Sequence, residues 1–108
     1  MTTKGGMRRE DKILVRVSPE IAELIPGFLE NRRKDITAML DAVQRGDFET
    51  VRVLGHGMNG AGGGYGFDAI TEIGAALEQA ANHRNAAEIR ERVNELSRYL
   101  DRVEVISD

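Results

Sequence analysis

Along most of this 108-residue chain, apolar side chains return every three or four positions, the period of helices that bury one face. The first signal opens at Ser18-Pro19-Glu20, where a capping hydroxyl, a proline and an acid predict a short N-terminal helix through Leu24. A second start at Pro26 leads a long helix with Phe28, Leu29, Ile36, Met39, Leu40 and Val43 on its inner face. Arg32, Arg33, Lys34 and Asp35 fall mainly on its wet side. Gly46 is placed to end this helix and Asp47 to cap the next. The next turns Phe48, Val51, Leu54, Gly55, Met58 and Gly62 inward. A third begins near Phe67 or Asp68 and buries Ile70, Ile73, Leu77 and Ala80 or Ala81. After the polar connector Asn82-His83-Arg84-Asn85, Asn85 with Glu88 resembles a capping box ahead of a fourth helix. Ile89, Val93, Leu96, Leu100 and Val103 make its apolar line.

The two ends depart from this period. From Lys12 to Val17, Ile13, Val15 and Val17 alternate against Lys12, Leu14 and Arg16, and Val103-Glu104-Val105-Ile106 is the other β-branched run. Together they predict a two-stranded ribbon joining the termini. Such a ribbon is marginal alone and must pack on the helices. The pattern predicts an all-α protein, an antiparallel up-down four-helix bundle with a short N-terminal helix and this ribbon. Residues 1–11 are polar and read as a disordered leader, leaving residues 12–108 as one domain.

Charge and composition narrow the function. A net charge of −3 and a pI near 5.4 argue against nucleic acid, which selects a basic face. No apolar stretch reaches the roughly 20 residues of a membrane span. With no cysteine there is neither a disulfide framework nor a thiolate metal site, which suits a cytoplasmic protein.

The chemistry concentrates in Leu54-Gly55-His56-Gly57-Met58-Asn59-Gly60-Ala61-Gly62-Gly63-Gly64-Tyr65-Gly66. A glycine inside a helix costs about 0.5–1 kcal/mol relative to alanine, so this many around one imidazole need a reason. At roughly 100° per residue, His56 lies away from the Val51–Met58 stripe and projects into solvent. Its face-mates are Arg52, Asn59, Gly60 and Gly63, and the two glycines remove side chains that would wall it in. An exposed imidazole, nucleophilic in its neutral form, suits attack on an electrophile brought by another molecule. Two plain readings stand beside this one: a solvated surface histidine, and glycines that serve tight helix packing.

His56-Gly57-Met58-Asn59-Gly60, with Gly66 ten residues after the histidine, resembles the H-x-[LM]-K-G-x5-G pattern of the histidine-containing phosphotransfer (HPt) domain family. Leu77-Glu78 falls where that family places an L-E pair on its next helix, and the resemblance runs from about Phe28 to Leu100. It implies a phosphorelay carrier, not an enzyme: His56 would accept a phosphoryl group on Nε2 from a receiver-domain aspartate and pass it on. The implied partners are response-regulator receiver domains or a hybrid histidine kinase, met by a monomer. No cofactor is implied for this chain; the Mg²⁺ belongs to the partner receiver, with its acidic pocket and lysine. The implied supporting residues are Asn59, Gly60, Arg52, Gly57 and Gly63. One position departs from the pattern. Asn59 stands where the family usually has lysine, offering hydrogen bonds but no charge. Arg52, one turn back, either compensates or is an ordinary surface arginine. The departure also leaves a second reading, a receiver-docking module that no longer accepts phosphate.

Other motifs carry less. Gly55 to Gly60 also fits G-x-G-x-x-G, but no strand precedes it and no βαβ unit surrounds it. No Walker A lysine follows. The exposed histidine of a kinase dimerisation helix would need an acid at Gly57 and a later proline. His83 lies in a turn without ligand-spaced partners, so no metal site is expected. Tyr65 and Phe67 suit core plugs or docking contacts, and Arg32, Arg33 and Lys34 suit a solvated surface or an acidic receiver face.

Overall fold

The computed structural model describes residues 11–107. Strand β1 (Ile13–Val17) is followed by a single 3-10 turn at Ala22–Leu24. Four helices come next: α1 (Ile25–Gln44), α2 (Phe48–Tyr65), α3 (Asp68–Asn82) and α4 (Ala86–Arg102). Strand β2 (Val103–Ser107) closes the chain. This is the expected all-α four-helix bundle with a ribbon at the termini. The predicted leader lies outside the described residues except for Asp11, whose carbonyl accepts a hydrogen bond from Arg102 Nε at 2.6 Å.

The helix boundaries follow from local chemistry. Asp47 Oδ1 accepts the Thr50 amide at 3.1 Å, and Asn85 Oδ1 accepts the Glu88 amide at 3.1 Å, each holding an otherwise unpaired first-turn donor. At the exit of α1, Gly46 (φ 75°) lets the Asp47 amide reach back to the Ala42 carbonyl at 2.8 Å. Gly66 (φ 88°) does the same after α2, sending the Phe67 amide to Gly62 at 2.8 Å. After α3 the left-handed position falls to Arg84 (φ 53°), whose guanidinium lies 4.7 Å over the Phe48 ring.

Four expectations need correction. Ser18 starts no regular helix. Its hydroxyl accepts the Glu20 amide at 3.3 Å, and successive 3-10 bonds carry the chain to α1, where Pro26 occupies the first turn. Arg32 and Asp35 are not on the wet side: they stand four and seven residues after buried Phe28, on the same helix face. They pair at 2.9 Å with side chains only 15% and 17% exposed, and the guanidinium covers the Phe28 ring at 4.8 Å. Burial pushes the Asp35 carboxyl up, against the opposing pull of Arg32. Leu40 is 40% exposed, because it follows buried Met39 by a single residue and so lies about 100° round the helix. Val103 does not extend the line of α4 but opens β2.

The ribbon is parallel, with Ile13 opposite Val103 and Val17 opposite Ser107. A parallel pair needs a long crossover, which the whole helical bundle supplies. Ile13, Val15, Val103 and Val105 pack against the core, while Leu14 stays 62% exposed. The core itself draws on every helix: Met39, Val51, Met58, Ile70, Leu77, Ile89 and Leu96 are essentially inaccessible. Phe67, fully buried and stacked on Phe28 at 5.5 Å, is a core plug. Tyr65 is half-buried against the same ring at 4.5 Å.

Candidate functional site

The glycines of α2 divide into two groups. Gly55 and Gly62 are buried against α3. A Cβ on Gly55 would lie 2.9 Å from both the Glu78 amide nitrogen and the Gly74 carbonyl oxygen, and one on Gly62 would lie 2.7 Å from the Thr71 nitrogen. Gly74 of α3 answers from the other side, where a Cβ would meet the Asn59 nitrogen at 2.7 Å and the Gly55 oxygen at 2.8 Å. These glycines let two backbones touch. Gly57, Gly60 and Gly64 face open space, and at Gly63 a Cβ would meet only the Thr71 hydroxyl at 3.7 Å. Packing explains the first group and leaves the second unexplained by the fold.

His56 projects from the open side of α2 with its side chain 71% exposed, as its helical phase predicts. The ring is nevertheless held. Its Nδ1 lies 3.2 and 3.3 Å from the two carboxylate oxygens of Glu78 on α3. That contact depends on the bare interface beside it, because Gly55 brings the Glu78 backbone against the residue just before His56. A carboxylate only accepts, so the shared proton sits on Nδ1, and in the neutral ring Nε2 then carries a free lone pair toward solvent. Neither composition nor periodicity pointed to Glu78 as the ring's partner. The one available signal was the Leu77-Glu78 pair.

Arg52 lies one turn before His56 on α2. Its guanidinium grips Glu49 with Nε to Oε1 at 3.0 Å and Nη2 to Oε2 at 2.6 Å. Those bonds, then the charges of Glu49 and more weakly Glu78, raise its pKa further, while the Arg52 bond holds Glu49 below the usual carboxylate range. Asn59 is half-buried on the flank of His56, and Gly57, Gly60 and Gly63 are exposed. All six expected site residues therefore share α2, and the fold adds Glu78 from α3. His83 is exposed in the turn after α3, away from this group, and no cluster of three or more His, Asp or Glu side chains among the described residues could hold a metal ion.

Because a Cβ at Gly60 would meet nothing within 4 Å, Gly60→Ala is expected to stabilise the domain by about 0.5–1 kcal/mol through helix propensity alone. Urea unfolding measures this directly, and a loss of stability would mean the fold itself requires that glycine.

Fold and site together define a class: a small four-helix domain that holds one oriented, solvent-facing imidazole on a helix. The family model for the Hpt domain matches residues 23–105, and the chain belongs to that family. Hpt domains carry out histidine phosphotransfer in phosphorelays, as carrier modules that are generally not enzymes. Neither the curated proteins nor the solved structures gave a match. No helix among the described residues is long and apolar enough to cross a membrane.

Proposed function

We propose that this domain is a phosphoryl carrier whose acceptor atom is Nε2 of His56. The observation that carries the reading is the Nδ1 contact with Glu78, which fixes the ring with its second nitrogen outward on a face cleared at Gly60 and Gly63. In the forward step the Nε2 lone pair forms a bond to phosphorus as the bond from phosphorus to a receiver aspartyl oxygen breaks. The aspartate leaves as a carboxylate. The proton stays on Nδ1, so the ring becomes a phosphorylated imidazolium, and the Glu78 carboxylate lies beside the charge that develops. Reversal at a second receiver returns the ring to neutral.

The partners are receiver domains or a hybrid kinase, and the receiver supplies the acidic pocket and Mg²⁺ of the transfer. This chain contributes placement and an unobstructed approach. In this reading it works as a cytoplasmic monomer. Incubation with a labelled phospho-receiver is expected to give an acid-labile, alkali-stable label on the wild type and none on His56→Gln. Receiver binding that leaves no label on the wild type would overturn the reading in favour of a docking module.

A further inference from the structure

A phosphoryl group on His56 brings about two negative charges to a surface that is already acidic. Helices α2 and α3 together carry Glu49, Asp68, Glu72 and Glu78 and a single cation, Arg52. Of the cations on other elements, Arg84 lies over Phe48 at one end of α2, and Arg32 lies over Phe28, beside Tyr65, at the other. Both ends are eight or nine residues from His56, roughly 12–14 Å along the helix axis. Arg52 stands four residues before His56, where Cβ atoms on one face come within about 5–6 Å. An arginine side chain is long enough to cross that gap, and an exposed pair three residues apart now holds it on Glu49. Such pairs are weak.

From this arrangement we infer that Arg52 is the phosphoryl-binding cation of the site, exchanging Glu49 for the phosphoryl oxygens when His56 is phosphorylated. The inference rests on His56 being the acceptor. The planar fork that now bonds both Glu49 oxygens presents the same two donors to a phosphoryl group. Glu49 thus parks the cation one turn below the ring, and Glu78 keeps Nδ1 occupied so that the group Arg52 must meet lies on Nε2. Charge enters from the residue before the histidine's turn, and Asn59 after it contributes only neutral donors.

The test is the equilibrium partition of labelled phosphoryl groups between a receiver and the full chain, which does not depend on how tightly the free proteins dock. Arg52→Gln is expected to lower the fraction on His56 roughly fivefold, the worth of one charge contact near water. Asn59→Lys in the Arg52→Gln background should restore it. Added salt should depress the wild-type partition and leave Arg52→Gln nearly unmoved. A side-chain NMR signal from Arg52 Nε should shift on phosphorylation and not on receiver binding alone. If the wild type accepts label and Arg52→Gln partitions like it, with the Arg52 signal unmoved, the inference is overturned while the carrier reading stands. If the wild type accepts no label, both fall.

Discussion

Gly74→Ala is expected to destabilise the domain by about 1–3 kcal/mol, although alanine is the better helix former. The added methyl would meet the Asn59 nitrogen at 2.7 Å, the Met58 Cβ at 2.7 Å and the Gly55 oxygen at 2.8 Å. Two of those atoms are backbone and cannot rotate away. Helix α3 must therefore move off α2, and Val51, Met58, Ile70 and Leu77 lose contact along the seam. Gly55→Ala strikes the same seam from the other helix, so the double variant should cost less than the sum of the two. Urea unfolding decides it, with Gly57→Ala as the control that should gain stability. A Gly74→Ala variant as stable as the wild type would show that the helices do not touch there. The seam also sets the site: moving α3 outward withdraws Glu78, so Gly74→Ala should lose phosphotransfer before it loses its fold.

Glu78→Gln is the second large effect, and it falls on rate instead of stability. The carboxylate is 23% exposed and supports no part of the core, so unfolding should change little. Phosphotransfer should slow about tenfold, the effect of losing roughly 1.4 kcal/mol of charge-assisted hydrogen bonding to a developing imidazolium. Partial exposure keeps the value near the low end for bonds to charged groups. Ring ¹⁵N shifts offer an independent reading in Glu78→Ala, where no side-chain acceptor remains to hold the proton at Nδ1. Unchanged transfer together with unchanged ring shifts would remove Glu78 from the mechanism. Glu78→Ala should behave alike, which separates lost charge from a misplaced amide.

Much of the architecture was legible because it is local. Asp47 and Asn85 cap amides three residues on, and Gly46 and Gly66 end helices through their own backbone freedom. The inner stripe of α2 and the buried line of α3 follow from phase alone. Arg32 and Asp35 lie off the expected wet side for a different reason. Phase puts them on the Phe28 face, but their charge suggested solvent, and the structure reconciles the two by pairing them over an aromatic ring. Ser18-Pro19-Glu20 carries the chemistry of a helix start, yet the chain there only turns between β1 and α1.

By itself the sequence determined four amphipathic helices, two terminal strands and a histidine facing outward among glycines, because each depends on residues within about one turn of one another. The tertiary structure decided what those features mean. Side-chain phase gives a direction from one helix axis but not the distance to the next helix. That distance is set jointly by Gly55 and Gly62 of α2 and Gly74 of α3. Only when α2 and α3 meet backbone to backbone does Glu78, 22 residues from His56, reach Nδ1 and leave Nε2 as the outward nitrogen.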